Sequence, residues 1–161
     1  LTAQNQIDNS NNFIKVIKSH YTLSYPNTWT IDTSKLMGTD ILLRSPKTDS
    51  LDDFSENMNI FVQDLHGQNY YLSKMGHESE KQIRNMVTDV EIIESKLDSN
   101  TIPPKYILKY KGRQGKYILT TIQNYYLKDD TGYALTFVFK SDKESDYISI
   151  SEKIFNSFEF H

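Results

Sequence analysis

The sequence predicts an α+β domain: a central, mostly antiparallel β-sheet covered by helices on both faces, an α/β/α sandwich. Residues 105–140 carry most of that expectation, because they are dense in Tyr, Ile, Thr, Phe and Val, side chains that suit a pleated, half-buried surface. The stretch breaks into three runs, 105–113, 116–127 and 132–140, at Gly112-Arg113-Gln114-Gly115 and at Lys128-Asp129-Asp130-Thr131-Gly132. These are short connections whose glycines can supply positive φ, as hairpins require. The third run has no uniformly polar face: Tyr133, Leu135, Phe137 and Phe139 share one side, Ala134, Thr136 and Val138 the other. A sheet with one wet face would alternate more cleanly, so cover is expected on both sides.

The remaining elements read as edges and covers of this meander. Residues 1–12 are polar, rich in Asn and Gln and without periodicity, and are expected to form a flexible leader. Short strands follow at 13–18 and 21–25, the second alternating Tyr21, Leu23 and Tyr25 with Thr22 and Ser24. Pro26-Asn27 suits a β-turn that sends Trp29 and Ile31 back to the same layer. Further strands are expected at 39–45, closed by Pro46, and at 57–65, where Met58, Ile60 and Val62 alternate with Asn59, Phe61 and Gln63. Leu72, Met75, Ile83, Met86 and Val87 then keep to one face of a helix over 71–87, in which Gly76 is a weak spot of up to ~1 kcal/mol relative to alanine. A strand at 90–97, a loop over 98–101 and Pro103-Pro104 lead into the meander. After it, Ser141 and Glu144 have the spacing of a capping box, and Tyr147, Ile150, Ile154 and Phe158 form the stripe of a closing helix. One domain is expected over 13–160.

Composition excludes several functions. A chain of 161 residues with net charge −3 has room for a sizeable core and lacks the basic field that gathers nucleic acid. The absence of cysteine removes disulfides, thiolate zinc sites and cysteine nucleophiles. Apolar runs fall far short of the ~20 residues of a membrane span. Leu1-Thr2-Ala3-Gln4 looks like the small-residue end of a secretory signal, so a secreted or periplasmic location is expected, with a cytoplasmic one as the alternative.

The segment Tyr21-Thr22-Leu23-Ser24-Tyr25-Pro26-Asn27-Thr28-Trp29 resembles the opening "strand, Tyr-Pro, two residues, Trp" of PsbP-like proteins. The resemblance continues through Glu56-Asn57-Met58-Asn59-Ile60-Phe61-Val62, the helix before 90–95, the hairpin over 115–135 and the closing Ile154-Phe155-Asn156-Ser157-Phe158. It implies a central antiparallel sheet with helices on both sides and no enzyme activity. Members include a lumenal subunit that supports the photosynthetic oxygen-evolving complex, a nuclear protein that binds the Ran GTPase, and exported bacterial proteins without a known role. An exported bacterial member is the expectation here; photosynthesis is not carried over, because no residues match the photosystem-docking segment and fold alone does not establish function.

Two residue groups are candidate sites. Asp49, Asp52, Asp53 and Glu56 gather four carboxylates in one short segment, oxygen ligands of the kind a divalent cation prefers, although the turn glycine and spacing of a calcium loop are missing. Solvated loop carboxylates are the plainer reading. Lys105, Lys109, Lys111 and Arg113 share one parity and form a basic stripe that could steer an acidic protein partner, or simply protect a solvated edge. The four histidines show no HExxH spacing, no serine sits in a GxSxG elbow, and Gly112–Gly115 reads as a hairpin, not as a nucleic-acid clamp. The pairs Tyr70-Tyr71 and Tyr125-Tyr126 are ambiguous: one tyrosine of each could pack inward while the other projects as a binding anchor. The function expected is therefore a non-catalytic binding or accessory module acting through a protein or envelope partner; a small-ligand or cation binder with a pocket between sheet and helix is the alternative.

Overall fold

Eleven strands and two helices build the chain in a computed structural model that describes residues 4–8, as backbone, and 12–161. In chain order they are β1 (Gln4–Asp8), β2 (Phe13–Ile17), β3 (Tyr21–Pro26), β4 (Thr30–Asp32), β5 (Ile41–Arg44), β6 (Asn57–Asp64), α1 (Leu72–Met86), β7 (Thr88–Asp98), β8 (Lys105–Gln114), β9 (Tyr117–Lys128), β10 (Thr131–Lys140), α2 (Glu144–Asn156) and β11 (Glu159–Phe160). The meander is the heart of a seven-stranded antiparallel sheet ordered β4-β5-β6-β10-β9-β8-β7. Within the described residues no helix is long and apolar enough to cross a membrane.

The expectation of a single sheet is corrected. Strands β1, β2, β3 and β11 form a second, four-stranded sheet, held by β11 pairing Glu159 with Thr22 and Phe160 with Tyr21. Period-2 alternation tells which side chains of β3 turn inward but is silent about which sheet a strand joins. Gln4–Asp8 of the expected leader pairs with β2; residues 1–3 and 9–11 of that leader lie outside the described residues.

Alternate residues of the large sheet feed two apolar clusters. One gathers Leu135, Phe137 and Phe139 of β10 and Met58 and Ile60 of β6 with Leu23, Tyr25, Trp29 and the α2 side chains Tyr147, Ile154 and Phe155. The other gathers Tyr106, Leu108 and Tyr125 with Met75 and Ile83 of α1 and Ala134 of β10.

Turn chemistry departs from expectation in detail. The β8–β9 hairpin turns at Gly115-Lys116, with Gly115 at φ 60°. The β9–β10 hairpin turns at Asp129-Asp130, φ 50° and 56°, the all-positive pair of a two-residue loop. Gly112 is not in a turn: it lies inside β8, where a Cβ would overlap Val87 Cγ1. Gly76 is likewise no mere weak spot, because a Cβ there would overlap the buried Tyr106 ring; the glycine is what lets α1 lie close to β8. Met86, placed on the apolar stripe by spacing, is 78% exposed. The capping box does not form. Ser141 bonds the Thr120 hydroxyl at 2.8 Å and Glu144 turns to Lys109, so neither side chain caps the helix.

Candidate functional site

Small residues on β10 open a cleft beside α1. On its large-residue face β10 presents Tyr133, Leu135 and Phe137, but on the α1 face it presents Gly132 and Ala134. A Cβ on Gly132 would lie 2.9 Å from Leu65 Cδ1 and 3.0 Å from Met75 Cε, so the glycine sets the floor. The cleft encloses about 340 Å³. Phe61, Gln63 and Leu65 form one wall, Met75, Glu78, Ser79 and Gln82 of α1 the other, with Tyr70 and Tyr125 completing it.

The polar groups of this cleft are ordered. Tyr70 Oη donates to Glu78 Oε2 at 2.6 Å, and that hydrogen bond raises the Tyr70 hydroxyl above the ordinary phenol value. Tyr125 Oη donates to Gln123 Oε1 at 2.7 Å, and Gln123 Nε2 donates to Thr136 Oγ1 at 3.2 Å. Burial pushes the Tyr125 hydroxyl up to about 12. Both phenols therefore stay protonated at neutral pH. Glu78 is the one carboxylate of the lining, which has no Lys, Arg or His.

The basic stripe is drawn into contacts within the chain. Lys109 Nζ lies 2.7 Å from Glu144 Oε1 and Lys111 Nζ 3.7 Å from Glu144 Oε2, and Lys109 foremost holds the Glu144 carboxyl below its usual range. Arg113 pairs with Asp89 at 2.8 Å. Lys105 stands opposite Asp98 in the β7–β8 register. Nor is β8 an edge, since it lies between β9 and β7.

The four carboxylates of 49–56 go separate ways. Asp49 Oδ1 accepts from the amides of Leu51 and Asp52 at 2.8 and 3.1 Å. Asp52 takes the Thr48 amide at 2.9 Å and its hydroxyl at 3.1 Å and lies 3.7 Å from Lys140 Nζ. Asp53 pairs with Lys116. Glu56 is fully buried, accepts from Ser45 Oγ at 3.2 Å, and leaves Oε1 without a partner. Among the described residues no three His, Asp or Glu side chains gather as metal ligands would. The tyrosine pairs divide: Tyr71 projects while Tyr70 lines the cleft, whereas Tyr125 and Tyr126 are both buried, one in each cluster. The alternative reading of the sequence expects a pocket between sheet and helix but names none of these lining residues; Gly132 and Ala134 on one parity of a bulky strand, with Tyr70 upstream, are the signal.

No family model and no curated protein matches the sequence. The structure, however, aligns with the solution structure of CyanoP, the cyanobacterial PsbP of Synechocystis, at a TM-score of 0.65 and 15% identity, over 99% of this chain and 92% of that one. The fold is PsbP-like. The same PsbP-like fold aligns with LpqN, involved in cell envelope biogenesis of Mycobacterium tuberculosis, at a TM-score of 0.62 and 8% identity over 99% and 90% of the two chains. It also aligns with PA94 of Pseudomonas aeruginosa, a protein of unknown function, at 0.59 and 8% over 96% and 94%. At these identities the PsbP-like likeness is one of fold.

Proposed function

We propose that this protein is a non-catalytic accessory module of the cell envelope, exported from the cytoplasm, which holds a partner in the cleft between α1 and strands β6, β9 and β10. The cleft carries the reading: it is lined by mixed apolar and hydrogen-bonding groups around ordered phenols, the combination that fixes a bound group's orientation. The envelope setting draws on LpqN, a protein of similar fold that is involved in cell envelope biogenesis. Three of the side chains that could do chemistry are held structurally: Ser151 and Ser157 bond the carbonyls of Ile148 and Ile154, and His77 packs its ring on Tyr106. The reading takes α1 and α2 as covers on opposite faces of the large sheet, since α1 meets Ala134 and α2 meets Phe137, which have opposite parity on β10. A small-ligand binder is the second reading, favoured by a volume of about 340 Å³, within the range of ligand pockets.

The test uses the absence of cysteine. Ser79→Cys places a single thiol in the cleft, and Glu152→Cys places one on the exposed side of α2. Each is labelled with a benzophenone maleimide and irradiated with envelope extract. Capture of a discrete partner from position 79 and not from 152 is expected. Equal capture from both positions, or none from 79, removes the cleft as the contact site.

A further inference from the structure

The walls of the cleft have a chemical bias. Three aromatic rings, Phe61, Tyr70 and Tyr125, line it together with the Met75 thioether and the Glu78 carboxylate. An anion entering there would meet Glu78, and the lining itself holds no basic side chain; a nearby cation, Lys74, sits over the Tyr70 ring and makes no ion pair with Glu78. A purely apolar group would strip water from the same carboxylate, whose one hydrogen bond, from Tyr70 Oη, does not replace that hydration. A cation meets both an opposite charge and ring faces whose quadrupole attracts it. One of these rings already takes a cation within the chain, for Lys74 Nζ sits 4.4 Å from the centroid of the Tyr70 ring. Phe61, 41% exposed at the mouth, offers a further ring to an incoming group.

We propose that the cleft takes an alkylammonium group, a lysine side chain or a free quaternary amine, with the cation beside Glu78 and its apolar stem against Phe61, Met75 and Ala134. This rests on the reading of the cleft as the binding site.

Charge is separated from shape by titrating amide resonances with matched probes. Choline is compared with 3,3-dimethyl-1-butanol, its neutral isostere, and Nα-acetyl-lysine methylamide with Nα-acetyl-norleucine methylamide. Shifts are expected at Gln82 and Ala134, with at least one cation bound about five-fold more tightly than its isostere, the ratio of a ~1 kcal/mol cation–π and ion-pair gain. Glu78 is exposed on α1, so Glu78→Gln should leave the fold intact, checked by Trp29 fluorescence, and erase most of that preference. Preference for choline alone supports a free amine as the source; preference for the lysine analogue alone supports a protein side chain. Equal binding of cation and isostere overturns the inference and leaves the cleft as a binding site. So does silence of all four probes when position 79 still captures a partner. Silence of the probes together with equal capture at 79 and 152 overturns both readings.

Discussion

Asp52 closes its loop with a single carboxylate. Its oxygens take the Thr48 amide and hydroxyl and face Lys140 of β10, tying segment 46–56 to the large sheet. Those hydrogen bonds, the Thr48 amide foremost, hold the carboxyl down to about 2, whereas in the unfolded chain it titrates near ~3.9. A group depressed in the folded state contributes stability that is fully present above the unfolded value and is lost as pH falls through the folded one. The urea midpoint should therefore drop between about pH 4 and pH 2, and Asp52→Asn should flatten that drop; equal slopes for the two proteins would show that the carboxylate is not held as described. Sequence alone found this residue but not its role. Spacing identified four acids in one loop, and only the backbone path decided that Asp52 turns to Thr48 while Asp53 turns to Lys116. Glu56 was harder still, because its complete burial follows from its place beside β6 and not from any neighbour in sequence.

Elements with strong local signals were legible. The three meander strands came within one residue of the observed bounds, since branched and aromatic density marks strands and the intervening polar residues mark turns. Helix α1 was equally legible in position, yet the reason for Gly76 was not, because a glycine's value there lies in what stands opposite it. Its replacement is decided by two opposed magnitudes. Alanine gains up to ~1 kcal/mol of helix propensity, but its Cβ collides with a buried ring, and overpacking of that kind costs about 1–3 kcal/mol. Gly76→Ala should lower the unfolding free energy measured by chemical denaturation; a gain would mean that α1 stands farther from β8. The capping box failed for a related reason. Its spacing is correct, but Lys109 and Thr120 compete for the same two side chains and win them.

At the scale of the molecule, an aromatic cluster joins the two sheets. The Phe158 ring lies 5.3 Å from Tyr21 of the small sheet and 4.9 Å from Tyr126 of the large one, with Phe160 at 5.0 Å. Phe158→Ala should cost about 3–5 kcal/mol, as core aromatic truncations do, and Trp29 fluorescence should still report one transition; two separate transitions would mean that the sheets fold independently. The division into two sheets was not legible, since it depends on β11 closing against β3 across nearly the whole chain. The strand order carries one more consequence. Strand β6 pairs with β10, not with its successor β7, so during synthesis β4, β5 and β6 leave the ribosome long before the strand that will complete their layer exists. Segments 72–140, whose contacts are short-range in sequence, are placed to organise first. The nascent amino-terminal third must meanwhile be kept from pairing with other chains through its open strand edge.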